Sequence, residues 1–96
     1  MFEVLSLPAF DAWLDGLPNE VTKARIIRRI DRLAAGNPGD AAPVGSGVSE
    51  LRMHFGPGYR VYFVRRGTAL VMLLGGGTKR SQAADIAVAI AQAAAL

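Results

Sequence analysis

The chain has 96 residues and no cysteine, which excludes a disulfide scaffold and a thiolate metal cluster, and its single histidine argues against a multi-histidine metal site. About half of it is apolar (51%), yet the formal net charge is +3. With a mean hydropathy of +0.26 and a pI near 10.0, so greasy and basic a small chain points to an apolar partner for one surface and an anion for another.

Length suits one domain over residues 1–96, with no metal or cofactor expected. Residues 1–18 carry Glu3, Asp11 and Asp15 and no basic leader, and the uncharged run 86–96 falls short of the ~20 residues a bilayer span needs. A cytoplasmic, membrane-free protein is expected. The basic residues lie in the last two-thirds and are mostly arginine, the side chain whose planar fork suits phosphate.

Residues 2–6 read as a short strand. Pro8 suits a first helical turn, and Phe10, Trp13, Leu14 and Leu17 recur at helical spacing, with Trp13 expected in the core. Asn19 is a good N-cap for a second helix over 20–35, whose apolar face is Ile26, Ile27, Ile30, Leu33 and Ala34. Arg25, Arg28, Arg29 and Arg32 form a basic stripe beside it. Amphipathic helices need a polar face, but Asp31 is the only nearby acid, so the stripe is a candidate contact for nucleic acid or the ribosome. The two helices form a hairpin.

Residues 36–47, GNPGDAAPVGSG, read as loop because a regular element tolerates so many glycines and prolines poorly. From Val48 the period is two. Leu51, Met53 and Phe55 should face a core, as should Val61 and Phe63 on the next strand, 59–66. Gly56-Pro57-Gly58 between them reads as a type II turn. Alternation then places Arg52, His54, Arg60 and Tyr62 on the opposite face of a hairpin, where cross-strand neighbours sit within ~5–8 Å. Arginine neighbours would leave the His54 imidazole neutral at pH 7, as a general base requires.

Residues 69–74 read as a central strand buried on both faces, ended by Gly75-Gly76-Gly77. Gly75–Arg80 lacks the spacing of a nucleotide-binding P-loop but supplies Lys79 and Arg80 beside the hairpin. Ser81 should cap a last helix reaching about residue 95. Uncharged after Asp85, that helix needs to be buried somewhere, part on the sheet and part against a partner. The order is β-α-α-β-β-β-α.

GNPGD, GVSELR, FGPGYRVYF and LLGGGTKRSQAADI, in this order, resemble the RelE/ParE superfamily of bacterial toxins, and within it the HigB-like addiction module killer proteins. The resemblance spans nearly the whole chain. It implies an α+β fold with helices packed on an antiparallel-type sheet. It also implies a toxin of a type II toxin–antitoxin system, neutralised by an antitoxin that carries a helix-turn-helix DNA-binding domain. Many relatives are ribosome-dependent mRNA endonucleases, cleaving RNA without metal by attack of the 2′-OH.

Carried over by position, Arg60 stabilises the transition state, Arg80 and Arg52 are further cationic positions, and His54 is a candidate base. Lys79 or Arg80 would hold phosphate, and Tyr62 would stack on or position a base. Ile86 stands where nuclease relatives have a functional tyrosine, and Thr78 where this branch often has aspartate. A non-enzymatic, ParE-like inhibitor of DNA gyrase is therefore an open alternative, as is an inactive relic acting only with its antitoxin.

Overall fold

A computed structural model describes all 96 residues. The chain runs β1 (Glu3–Ser6), α1 (Pro8–Asp15), α2 (Glu20–Ala34), β2 (Ala41–Gly45), β3 (Val48–Arg52), β4 (Tyr59–Arg66) and β5 (Leu70–Thr78). A single 3-10 turn, Lys79–Ser81, leads into α3 (Gln82–Ala94). The five strands form one sheet in the order β1-β5-β4-β3-β2. The architecture is α+β, as expected.

Pro8 occupies the first turn of α1, and the Asn19 side chain caps α2 by accepting from Val21 N at 2.8 Å and Thr22 N at 3.1 Å. The helical hairpin lies on one sheet face. There Phe10, Ile26, Ile30 and Leu33 meet Leu51, Val61, Phe63, Val71 and Leu73. The α3 helix lies on the other face, where Ala89 and Ala93 pack against Val48, Tyr62, Val64 and Leu74. Alanines let the α3 backbone approach closely. Each buried Val or Leu contributes roughly 1.5–3 kcal/mol on either face.

Five expectations need correction. First, residues 36–47 are not all loop, because Ala41, Ala42 and Pro43 pair antiparallel with Leu51, Glu50 and Ser49. Pro43 is tolerated because β2 is an edge strand, and the register shifts between Pro43 and Gly45. Second, the sheet is mixed: β1 runs parallel to β5, since the chain reaches β5 through both helices and three strands rather than a hairpin.

Third, β5 does not stop at Gly75. It continues through all three glycines to Thr78, paired with β4 to Tyr59. A methyl at Gly76 would overlap the Trp13 ring, and one at Gly77 the Asp85 carboxylate, so glycine here makes room for neighbours rather than ending a strand. Trp13 is half-buried over that glycine, packed against the first core. Fourth, the hydrogen-bonded turn after β3 runs from Phe55 to Gly58 (Gly58 N to Phe55 O, 3.1 Å), one residue earlier than a type II turn with Pro57 first. Gly56 takes φ 55° and Gly58 φ 77°. Fifth, Ser81 precedes α3 without capping it; its hydroxyl donates to Asp85 instead.

Candidate functional site

One end of the sheet gathers the cations. Arg52 of β3 lies opposite Arg60 of β4, which lies opposite Gly77 of β5, with Lys79 and Arg80 exposed just beyond. Alternation alone would hold Arg52, His54, Arg60 and Tyr62 on one face, but the structure divides them. The face carrying Arg60 and Tyr62 is covered by α3 and the turn before it, and β3 ends at Arg52, which frees His54 to leave the sheet plane.

Under that cover, Arg60 is 6% exposed, Glu50 3% and Tyr62 1%. Arg60 Nε stands 4.0 Å from Glu50 Oε2, too far for a hydrogen bond, and has no other partner. One Arg60 terminal nitrogen, Nη1, makes only long bonds, 3.3 Å to Tyr59 O and 3.4 Å to Gly58 O. Gln82 Nε2 donates to both Glu50 oxygens at 3.0 Å. Burial, then the Glu50 and Asp85 charges, pushes the Tyr62 phenol up to about 12, so it stays neutral. Buried at this depth, Tyr62 offers no ring face to an incoming base.

His54 sits elsewhere. Its side chain is 70% exposed, and its Nε2 hydrogen-bonds Asp40 Oδ2. The expected arginine neighbours are replaced by a carboxylate, because β2 pairing brings Asp40 opposite the end of β3. Arg52 N donates to Asp40 O at 2.9 Å, and the Arg52 guanidinium grips Asp40 Oδ1 at 2.7 and 3.0 Å. Hydrogen bonds from His54 and then Arg52 hold the Asp40 carboxyl down at about 2. The hydrogen bonds to Asp40, then its charge, raise Arg52 above its ordinary value. An ionised carboxylate only accepts, so Nε2 carries the hydrogen and the Nδ1 lone pair of a neutral ring is left free.

His54 also meets the α2 stripe. Arg25, Arg28, Arg29, Arg32, Met53, His54 and Phe55 line a depression of about 300 Å³ between α2 and the β3–β4 connection. Arg29 is half-buried and committed: its guanidinium donates to Arg52 O (2.8 Å), Pro38 O (3.0 Å) and Asp40 O (3.3 Å). Burial, then Arg32, lowers its pKa. It therefore holds the Asp40 loop rather than facing solvent. The Arg25 guanidinium stacks 3.6 Å over the Phe55 ring, a cation–π contact. Arg28 and Arg32 are exposed.

Sequence reasoning missed Asp40, Phe55 and the Glu50–Gln82 pair as site components. Asp40 was hidden by reading its segment as loop; an acid one residue before a strand antiparallel to β3 was the available signal.

The chemistry available is an oriented imidazole with a free ring nitrogen, a paired carboxylate behind it, and unneutralised guanidinium groups around a shallow, open depression. No helix is long and apolar enough to cross a membrane.

The chain is 49% identical over 77 residues to an uncharacterised protein of Haemophilus influenzae, covering 80% of this chain and 78% of that one. No solved structure matches it. Residues 12–94, from within α1 to the end of α3, match the phage-derived Gp49-like proteins (DUF891). The chain belongs to that Gp49-like family, a family of RelE/ParE-like toxins.

Proposed function

We propose that the chain is the toxin of a type II toxin–antitoxin pair, of HigB-like character, acting in the cytoplasm as an endoribonuclease on ribosome-bound mRNA. The observation that carries this is the Asp40–His54 pair at the rim of the arginine-lined depression. His54 Nδ1 takes the proton of an RNA 2′-OH. The 2′-oxygen attacks the adjacent phosphorus, the P–O5′ bond breaks, and the 5′-oxygen leaves with a proton from solvent at the open rim. The products are a 2′,3′-cyclic phosphate and a 5′-OH end. Asp40 orients the ring and offsets the charge it gains. Arg28 and Arg32 balance charge on the pentacoordinate phosphorus, and Lys79 and Arg80 hold flanking phosphates; losing one such donor costs ~10²–10³ in rate.

Arg52 acts through Asp40 rather than on RNA, and Arg60 supports the site from beneath. An acidic helical antitoxin segment, tethered to a helix-turn-helix DNA-binding domain, covers the basic face, so its binding weakens with salt. The burial of Arg60 and Tyr62 favours one second reading, a ParE-like toxin that binds gyrase and cleaves nothing.

Purified protein, incubated with translating ribosomes, tests the proposal through the chemistry of the RNA ends. Cyclic phosphate and 5′-OH ends are expected, lost in His54→Ala and reduced in Arg28→Ala. Arrested growth with intact RNA, equally severe in His54→Ala, would instead establish the second reading.

A further inference from the structure

The side of the molecule opposite in chemistry to the basic depression carries a second cavity. The parallel partner strand ends early: Ser6 pairs with Leu73, and β5 runs on to Thr78 with no strand beside it on that edge. Helices α1 and α3 flank the gap, and a cavity of about 130 Å³ opens between them. Its floor is Gly75, Gly76 and Tyr62, and its walls are Trp13 from α1 and Asp85, Val88 and Gln92 from α3.

Its chemistry is one-sided. No lysine, arginine or histidine lines it, in a chain of pI near 10.0. Tyr62, 1% exposed, has a buried hydroxyl with no hydrogen-bond partner, and buried Gln92 Oε1 has none either. Native interiors seldom leave such groups unsatisfied. The half-buried Asp85 carboxylate accepts from Ser81 Oγ and pairs with no cation. Trp13 contributes the aromatic ring most attractive to a cation. An unused amide oxygen, a phenol, a carboxylate and an indole thus surround one small space.

Ligand pockets for nucleotide-sized molecules run to ~300–1,000 Å³, so this one suits a single side-chain head group. Its rim is apolar: Val88 is 55% exposed, and Ala84, Ala87 and Ala91 are exposed on the same helix, with no charge among them. A desolvated pocket ringed by apolar contacts is the setting in which an arginine anchors a protein interface.

We propose that this cavity receives the guanidinium of an arginine from a polypeptide partner whose flanking apolar residues lie on the outer face of α3. The proposal does not depend on the reading of the basic depression. Because Trp13 is the only tryptophan, its fluorescence reports the site directly.

The test titrates the intact chain with N-acetylarginine amide and with its neutral isostere, N-acetylcitrulline amide. A saturable change in Trp13 emission is expected for the arginine compound, at least tenfold weaker for citrulline. Arg28→Ala should leave it unchanged, and Asp85→Asn should weaken it at least tenfold. A capped Leu-Arg-Leu peptide should bind more tightly than the arginine amide, and Val88→Asp should remove that gain alone. Equal binding of citrulline, or no saturable change, would mean a merely hydrated cavity and overturn the proposal; this arm uses the unaltered chain and stands even where Asp85→Asn fails to fold. Equal affinity for peptide and amide would overturn the polypeptide partner.

Discussion

Replacing Arg60 with alanine should destabilise the fold sharply before it tests any chemistry. Arg60 and Glu50 are both almost fully buried, and the Glu50 carboxylate has only the Gln82 amide besides Arg60. Removing one member of a buried pair strands the other charge in low dielectric, at a cost of about 3–5 kcal/mol. A domain this size is stable by roughly 5–10 kcal/mol, and 1 kcal/mol moves its Tm by ~4–8 °C. A Tm drop of at least ~12 °C is therefore expected, read by circular dichroism. The double variant Arg60→Met, Glu50→Gln keeps the volume and removes the stranded charge, so it should recover all but ~1–2 kcal/mol. If Arg60→Ala melts within about 3 °C of the wild type, or the double variant is no better than the single, the buried-pair account is wrong.

Three further outcomes follow from the geometry. The fold favours ionised Asp40, so its stabilising contribution is present above the ordinary value of 3.8 and lost as pH falls through about 2; carbon-detected NMR should place its titration there, and an ordinary midpoint would contradict the His54 and Arg52 bonds. Gly76→Ala drives a methyl into the Trp13 ring and should cost ~1–3 kcal/mol in urea denaturation, with altered Trp13 emission; an unchanged midpoint would contradict that packing. Arg29→Lys loses the fork that ties three carbonyls and should cost ~2–4 kcal/mol, whereas exposed Arg28→Ala should stay within ~0.5 kcal/mol; equal effects would contradict the division of the stripe.

Periodicity made the helical hairpin, β3, β4 and the Asn19 cap legible, because each rests on local pattern. What it could not supply was which sheet face α3 covers. Arg60, Tyr62 and Val64 alternate correctly, but their side is a second core, since an alanine-rich helix can pack there. The β2 strand was masked by Pro43 and four glycines, whose effect depends on an edge position that composition does not reveal. Asp40 was lost with it, and so the true partner of His54. The glycine run was legible as punctuation, but Trp13 and Asp85 give it a different purpose: three residues without side chains let two helices close on the end of β5. In the arginine stripe the helical period found all four residues, while only tertiary contacts separate Arg29, which holds the Asp40 loop, from Arg28 and Arg32, which stay exposed at the depression.

In the proposed mechanism His54, held by Asp40 beside the arginine-lined depression, takes the proton that starts RNA cleavage. Primer extension on cellular mRNA, minutes after induction of the wild type and of His54→Ala, tests it most directly. New 5′ ends at fixed positions within codons in the wild type, absent in His54→Ala at equal protein level, are expected. Intact mRNA under wild-type induction, or the same ends in His54→Ala, would contradict it.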